Sequence, residues 1–388
     1  VARSLLFPRL TVEERASLTT NPGYAFFSRL NQERVTAMDF DPDRLNDPDR
    51  ISDFQTSFTL EQPLFVRQAH LGLAMSRKEY QAKQAEFRRK REQIAYQVLK
   101  ACCMETSARA FAHAARRGED EAREHERVAR LRYESGLAHY ADVLRASTAL
   151  SQARQRRSAA EKDLRLAQHY LGLLTSSAER IDISDPAPML PLHEPSCYQD
   201  SARVRSDLQA ASLRSENTRQ GVTLAEAGYW PYLGVGGTYQ FNDHDQPLGG
   251  EGRSWQVGAF LRWELFDGTR RTHERAKAAY LLEQARASLA AFRDGIDYRV
   301  LEAYANVQEA RANIALARQA LETAEEGARL MRLRYANGLA SLADLLSSQA
   351  ALEDARSGLV ERENAAHTAL ATLSYESGTI LSDLNIQD

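Results

Sequence analysis

The stretch that decides the fold is LRYESGLAHYADVL at residues 131–144, because it recurs as LRYANGLASLADLL at residues 333–346. At this offset of 202 positions, 15 of the 28 aligned residues of Arg127–Arg154 and Arg329–Arg356 are identical. Roughly three identities would be expected by chance in a chain rich in Ala, Arg and Leu. We conclude that one half of the chain is a copy of the other half.

The composition of the 388-residue chain excludes several classes of protein. Its 50 basic and 53 acidic side chains give a net charge of −3, which argues against a nucleic-acid binder held by a strong basic field. The mean hydropathy is −0.51, and no apolar run reaches the roughly 18 residues of a transmembrane helix. Cys102, Cys103 and Cys197 fit neither a disulfide framework nor a zinc site. By themselves these figures describe a water-soluble, helix-rich protein.

Each copy contains a very long helical segment. In the second copy, fifteen apolar residues from Ala285 to Tyr335 recur at spacings that alternate between four and three, except for two successive fours around Ile296. A 3.5-residue period predicts coiled-coil packing along a helix of about 75 Å. Gly338 interrupts this pattern, and a further helix is predicted from about Ser341 to Ser374. Each copy is therefore predicted to form a long antiparallel helical hairpin that turns at its Gly-Leu-Ala sequence.

Outside the helical hairpins the apolar period changes from 3.5 to 2, which predicts strands. The alternating segments are Leu10–Leu18, Phe54–Leu60, Pro231–Asn242 and Arg253–Phe266. Strands of about ten residues, apolar on one side and with aromatic residues at their ends, are typical of a membrane β-barrel. The same alternation is typical of half-buried hairpins on a water-soluble core, and periodicity alone leaves both interpretations open.

Sequence motifs resolve that choice, because the chain resembles the TolC-type outer-membrane efflux protein family over nearly its whole length. The segments that carry the resemblance are AEAGYWPYL at residues 225–233, WELFDG at 263–268 and RYANGLASLADLL at 334–346. RSDL at residues 205–208 resembles the motif that opens the helix before each β-hairpin. The order and duplication of these motifs, rather than any one of them, make the resemblance specific.

The resemblance implies an α+β membrane protein with two structural repeats, which assembles as a homotrimer. Each protomer would add four strands to a shared 12-stranded β-barrel in outer-membrane lipid, and its helical hairpins to a periplasmic α-barrel. Trimerisation follows physically from this arrangement, because open strand edges are not tolerated in lipid. The trimer would be the passive exit duct of a tripartite efflux system for small molecules such as drugs, metals or other toxic solutes. A periplasmic adaptor would connect it to an inner-membrane transporter, and neither a cofactor nor nucleic acid is expected.

The predicted boundaries follow the repeats. We expect a first β-hairpin at 1–65 with a long external loop at 19–50, a first helical hairpin at 66–175, an equatorial linker at 176–199, a helix at 200–230, a second β-hairpin at 231–266, a second helical hairpin at 267–376 and a C-terminal tail at 377–388. The linker is predicted from Pro186, Pro188, Pro191 and Pro195. About 30 residues separate Ser201 from Pro231 but only seven precede Pro8. At least 23 residues of the first repeat are therefore expected to be missing before Val1.

The resemblance also implies that the hairpin turns form the functional end. Asp344 matches a position whose carboxylates form an acidic ring in the lumen, and Ser347 occupies the place of a second acidic residue. Tyr335 and Asp142 match positions that hold the periplasmic entrance shut by hydrogen bonds between neighbouring hairpins. From the residues alone, Asp344 is equally well a helix cap and Tyr335 a member of the apolar seam.

Further site residues are expected at the same turns and in the strands. The residues expected to face the adaptor are Arg132, Tyr133, Gly136, Leu137, Arg334, Gly338 and Leu339. The two glycines need no such role, since a helix commonly ends at glycine. Trp255 and Trp263 fit an aromatic girdle at the membrane interface, or else the core of the sheet.

Signatures of an enzyme are absent from the sequence. The nine histidines are scattered, and no HExxH, phosphate loop or paired-cysteine metal spacing occurs. NDHD at residues 242–245 carries metal-ligand residue types, but we interpret it as a polar external loop between two strands. Two alternatives to an efflux duct stay open. A duct for type I protein secretion has the same outer component, and a soluble coiled-coil scaffold would explain the helices but not the paired strands.

Overall fold

The computed structural model describes residues 2–177, 179–183 and 190–386, which form mostly helices and one β-sheet. The main elements in chain order are β1 (Arg9–Thr19), α1 (Pro22–Asn31), α2 (Pro42–Asn46), β2 (Ile51–Phe65), α3 (Arg67–Glu134), α4 (Tyr140–Leu174), α5 (Pro195–Arg203), α6 (Ser206–Glu226), β3 (Tyr232–Asp243), β4 (Gly252–Arg262), α7 (Arg270–Ala336), α8 (Leu342–Ser377) and α9 (Ile380–Asp383). Short 3-10 helices cover Ala2–Leu6, Ala37–Phe40 and Ala227–Tyr229. Val1, the linker residues Pro186 and Pro188, and the last two residues of the predicted tail lie outside the described residues.

The chain divides into two compact units. Unit 1 comprises Val1–Ala82 and Ser212–Ser288 and holds the sheet, whereas unit 2 comprises Lys83–Ala211 and Leu289–Asp388 and holds most of the helical residues. None of the described helices is both long enough and apolar enough to cross a membrane.

The sheet of unit 1 is antiparallel, with the strand order β1-β2-β3-β4. Its register sets Val12 opposite Phe58, Phe58 opposite Tyr239, and Tyr239 opposite Trp255, so this row of apolar residues lies on one face. The other face is polar. It carries a hydrogen bond from Gln55 Nε2 to Gln240 Oε1 of 3.0 Å and a Thr59–Thr238 hydroxyl contact of 3.2 Å. We call these the apolar face and the polar face.

The edges of this sheet are open. In the described residues, β1 pairs only with β2, and β4 pairs only with β3. Nearly all residues of β1 and β4 are exposed, including the large apolar side chains of Leu10, Val12, Trp255 and Val257. A sheet of this kind presents unpaired N–H and C=O groups along both sides.

The coiled-coil seam predicted for α7 is confirmed. All fifteen apolar positions predicted between Ala285 and Tyr335 are buried or half-buried. The largest apolar cluster of unit 2 is centred on this seam, and its buried members are Leu99, Leu190, Tyr198, Ala202, Leu208, Ile296, Val300, Ala303, Val307, Leu370, Ala371 and Leu373. At about 1.5 Å per residue, α7 is about 100 Å long.

Three sequence expectations need correction. The external loop predicted at 19–50 contains α1 and α2, each of which begins with proline after an Asn21 or Asp41 side chain that caps its first turn. The helix predicted at 200–230 is broken between α5 and α6. The tail predicted at 377–388 contains α9, because Gly378 ends α8 at a φ of 80° and Ile380 is then fully buried.

The end of β4 also differs from the prediction. The alternating pattern extends to Phe266, but the strand ends at Arg262. The reason is that the backbone carbonyls of Glu264 and Leu265 accept hydrogen bonds from the Arg271 guanidinium, at 2.8 Å and 3.2 Å. These carbonyls are therefore turned away from a strand partner.

Candidate functional site

The turns of the two helical hairpins in unit 2 are built in the same way. Gly136 adopts a φ of 72° and donates its N–H to Tyr133 O at 2.9 Å, while Leu137 N donates to Arg132 O at 2.7 Å. The second turn repeats this at Gly338, with a φ of 74° and a 2.8 Å bond from Leu339 N to Arg334 O. This is the Schellman motif, in which a left-handed residue closes the helix. The duplicated Arg-Tyr-x-x-Gly-Leu sequence therefore encodes a helix end.

The helices that follow these turns begin differently. Ser341 caps α8, because its Oγ accepts from Asp344 N at 3.2 Å while the Asp344 carboxylate accepts from Ser341 N at 3.1 Å and from its Oγ at 2.7 Å. These bonds from Ser341 lower the pKa of Asp344, and the charge of Arg334 adds to the effect. The corresponding cap of α4 is His139, whose side chain makes no capping hydrogen bond.

A small apolar cluster holds the two turns together. Its buried members are Ala129, Ala146, Leu342 and Leu345, and Tyr335 packs against them. Arg132 from the first hairpin lies over the Tyr335 ring of the second, 4.5 Å from the ring centroid, and its Nη2 lies 3.4 Å from Ala336 O. The sequence repeats therefore meet directly through two of the predicted site residues.

The other predicted tip residues make separate contacts. The Asp142 carboxylate lies 3.6 Å from the Arg145 guanidinium, and the Tyr133 ring lies 5.4 Å from that of Tyr140. Ser347 is exposed, as are Leu137 and Leu339 at 77% and 68%. Because leucine at this position of a Schellman motif usually packs on its own helix, two exposed copies mark a surface that the single chain leaves uncovered.

In unit 1, Arg271 joins two of the sequence motifs, and sequence reasoning missed it. It is 5% exposed, and its guanidinium donates to the carbonyls of Gly228 (3.1 Å), Glu264 (2.8 Å) and Leu265 (3.2 Å). Its Nε also binds the Asp267 carboxylate at 2.8 Å. A Cβ on Gly228 would lie 3.3 Å from the Arg271 side chain. The buried Arg271 therefore binds groups of both the AEAGYWPYL segment and the WELFDG segment.

A second arginine cluster explains the RSDL motif in unit 2. Arg205 is 4% exposed, donates to Glu376 O at 2.6 Å, and pairs with both carboxylate oxygens of Asp207 at 3.1 Å and 2.7 Å. Arg89 donates to Tyr375 O at 2.8 Å and lies 3.8 Å from the centroid of the Tyr375 ring. Burial would raise the pKa of Asp207, but the two guanidinium groups outweigh it and lower that pKa. The motif thus binds the C-terminal carbonyls of α8.

The predicted interface tryptophans lie at different places in unit 1. Trp255 is on the apolar face of β4 and is 72% exposed. Trp263 follows β4, and its indole Nε1 donates to Tyr229 O at 3.1 Å. Both rings are exposed in the single chain, and their place at a membrane interface stays a prediction.

The first two residues of the NDHD segment end β3, and the last two begin the connection to β4, which was predicted as a polar external loop. The Asp243 carboxylate accepts from the backbone N–H groups of Asp245 and Gln246, at 2.8 Å and 3.1 Å. His244 lies between two carboxylates, with Nδ1 2.6 Å from Glu251 and Nε2 3.0 Å from Asp245. Asp243, His244 and Glu251 offer ligand atoms within 4.8 Å of one another. The His244–Glu251 contact and the backbone bonds to Asp243 account for this grouping without a metal.

An open cavity of about 910 Å³ lies in unit 2 among α3, α4 and α8. Ala, Gly, Ser and Thr make up about half of its lining, which also includes His125 and Glu353. Burial lowers the pKa of His125 and raises the pKa of Glu353, so both groups are held towards their neutral forms. Among the described cysteines, burial raises the pKa of the Cys103 thiol to about 11, which makes that thiol unreactive.

An amphipathic sheet with two open edges, on a chain that also forms long coiled-coil hairpins, is the architecture expected of a channel subunit. Comparison with known proteins identifies the family. The family model of outer membrane efflux proteins matches residues 1–176 and 197–379, and the chain belongs to this family. Membership confirms the resemblance found in the sequence, together with the predicted location in the outer membrane and periplasm.

Individual relatives are distant. Over 205 residues the chain is 32% identical to protein CyaE of Bordetella pertussis, a match that covers 50% of this chain and 43% of CyaE. It is 22% identical over 261 residues to outer membrane efflux protein BepC of Brucella suis biovar 1, covering 66% and 57% of the two chains. The chain thus spans about half the length of the curated relatives it matches. A solved membrane protein from Pseudomonas aeruginosa has the same fold, with a TM-score of 0.80 at 18% identity over 97% of this chain and 86% of that one.

Proposed function

We propose that this chain is one protomer of a trimeric outer-membrane duct that works with a periplasmic adaptor and an inner-membrane pump to expel small toxic solutes. The observation that carries the proposal is the sheet of unit 1. Its apolar face is exposed and both of its edges are open, an arrangement that water tolerates poorly. In lipid, exposure of the apolar face is favourable, provided that other copies of the chain pair with the two open strand edges. Three copies of four strands give the 12-stranded barrel that the resemblance implies.

Disulfide cross-linking between the edge strands tests this assembly. Within one sheet, β1 and β4 are three strand spacings apart, which is about 14 Å. A disulfide requires Cα atoms within about 7 Å, so a β1–β4 bond can form only between copies. We expect Thr11→Cys, combined in turn with Ser254→Cys, Gln256→Cys or Gly258→Cys, to yield covalent trimers in membranes. The matched control is Thr59→Cys on β2, which should give none with the same partners. Covalent dimers without trimers, or monomers throughout, would contradict the proposal.

The tips are proposed to form the periplasmic gate. Tyr335 and Asp142 would bind neighbouring hairpins of the trimer, and Asp344 would contribute to an acidic ring that attracts cations. Single-channel conductance in planar bilayers tests this role. Tyr335→Phe and Asp142→Ala are each expected to raise the conductance of the closed channel. The control is Gln319→Ala, an exposed position within α7 sixteen residues before Tyr335. Unchanged conductance in both variants would show that Tyr335 and Asp142 do not hold the entrance closed.

The exposed turn leucines are proposed to meet the adaptor. Leu137 and Leu339 present apolar surface at equivalent points of the two repeats, so one adaptor surface could bind both. Replacement of either leucine by Asp should weaken co-purification of the adaptor while the trimer stays intact. Which transporter co-purifies also decides between small-molecule efflux and the alternative of type I protein secretion, since the two use the same outer component.

A further inference from the structure

The strap at 20–50, which joins β1 to β2, is the part of unit 1 that the proposed function does not use. It contains α1, the 3-10 helix Ala37–Phe40 and α2. The matching connection between β3 and β4 is short, at 244–251. Both connections lie at one end of the sheet, whereas β2 leads into α3 and β4 leads towards α7 at the other end. In a duct, the end that carries the two connections is the external mouth.

A buried polar network fastens the strap to the sheet. Gln32, the cap residue that ends α1, is 1% exposed, and its Nε2 donates to Asp53 Oδ1 at 2.9 Å and to Ser52 O at 2.8 Å. Asn242, which is also 1% exposed, donates to both oxygens of Asp53 at 3.1 Å and 3.0 Å. Asp53 shares its side of β2 with Gln55, so the attachment is on the polar face.

The strap then crosses to the far edge of the sheet. A Cβ on Gly252, at the start of β4, would lie 1.8 Å from Asn31 O, so the α1 backbone lies directly on this glycine. Gly252 is opposite Asn242 in the register and is therefore on the polar face too. Arg253 N donates to Glu33 Oε1 at 3.3 Å. The strap thus covers the polar face from β2 to β4.

Simple dimensions show what this would do in a closed barrel. Twelve strands about 4.8 Å apart and tilted by about 40° enclose a barrel about 24 Å across, or about 12 Å from wall to axis. A helix with its side chains is about 10 Å thick. Three straps on the inner, polar face would therefore occupy most of the cross-section at the mouth.

We propose that the strap is an exit constriction, held across the external mouth of the duct by Gln32, Asp53 and Gly252. This inference rests on the proposed trimeric duct. The strap would limit the size of solute that leaves the duct, and would equally limit what enters from outside. Release of the strap from the sheet would widen the mouth without affecting the barrel wall.

Cysteine labelling from outside intact cells tests the constriction. Gln256→Cys places a thiol on the exposed polar face of β4, below the strap, and its labelling is read as the increase over the parent chain. A small membrane-impermeant maleimide is expected to label it, and a bulky polyethylene-glycol maleimide is not. Gln32→Ala and Gly252→Ala each release one attachment, and each should permit labelling by the bulky reagent. If even the small reagent is excluded until the strap is released, the strap seals the mouth, which supports the same inference.

Two controls separate the outcomes. Thr59→Ala removes a hydroxyl contact with Thr238 from the same face, six residues along β2 from Asp53, and it should leave the bulky reagent excluded. Equal labelling by the bulky reagent in the parent, Gln32→Ala and Gly252→Ala backgrounds would overturn the constriction while leaving the duct intact. Val257→Cys lies on the apolar face and should be shielded by lipid. If it reacts as readily as Gln256→Cys, the polar face is not the pore lining. That result would contradict both the proposed duct and the proposed constriction.

Discussion

The two hairpin turns of unit 2 share the Arg-Tyr-x-x-Gly-Leu-Ala sequence where one helix ends, but they differ at the residue that begins the next helix. Gly136 and Gly338 close α3 and α7 with the same hydrogen bonds. Ser341 and Asp344 then cap α8 reciprocally, whereas His139 gives α4 no side-chain cap and Asp142 lies near Arg145 instead. The duplicated motif therefore fixes where the chain turns, while the residue after it decides how firmly the returning helix begins.

The largest change should come from the turn glycines. Alanine in the left-handed region costs about 1–2 kcal/mol, so Gly136→Ala and Gly338→Ala should each destabilise their turn by that amount. Hydrogen exchange of the turn peptides, measured by mass spectrometry, would show the loss of protection. Gly327→Ala is the matched control, because this glycine lies within α7 with open space around it and alanine favours a helix by about 1 kcal/mol. Equal effects at all three glycines would contradict the role of the φ values.

The second largest effect should distinguish the start of α8, which has a side-chain cap, from the start of α4, which has none. Ser341→Ala removes the capping box of α8, and loss of such a cap costs about 1 kcal/mol. Amides in the first turn of α8 should then exchange faster, to an extent similar to those of α4. His139→Ala, which removes no capping hydrogen bond, should leave exchange at the start of α4 nearly unchanged. If the two variants behave alike, the asymmetry between the turns has no energetic consequence.

The reverse substitution sharpens the comparison. His139→Ser would place a hydroxyl three residues before Asp142, which recreates the arrangement of Ser341 and Asp344. We expect slower exchange in the first turn of α4, by up to about 1 kcal/mol in local stability. His139→Ser combined with Asp142→Ala should keep only part of this gain, because the reciprocal bond to the carboxylate is then missing. No gain in the single variant would show that the first turn is restrained by its packing instead.

Sequence reasoning succeeded where a periodic pattern determines burial. The seam of α7 and the strand alternation could be predicted because each depends on which face of one element is apolar. It failed at single polar residues whose partners are far apart in the chain. Arg271 binds Gly228, and Gln32 binds Asp53, through contacts that no spacing encodes. The helices α1 and α2 were missed because they are short and lie in a polar segment, where proline and asparagine predict turns as readily as helix starts.

The smallest expected effect is the pH dependence of the second turn. Hydrogen bonds from Ser341 hold the pKa of Asp344 below its ordinary value, so this carboxylate stabilises the start of α8 when ionised. That contribution is fully present above the unfolded pKa of about 3.9 and is lost as the pH falls through the lower folded pKa. Exchange protection in the first turn of α8, corrected for intrinsic rates, should therefore decrease in acid. In Ser341→Ala the carboxylate loses the hydroxyl bond, which is the largest cause of its lowered pKa, but keeps the backbone N–H of residue 341 as a donor. The acid-dependent decrease should therefore become smaller. A decrease of equal size in both chains would mean that some group other than Asp344 titrates at the turn, and the reciprocal cap would then not be what distinguishes the second turn from the first.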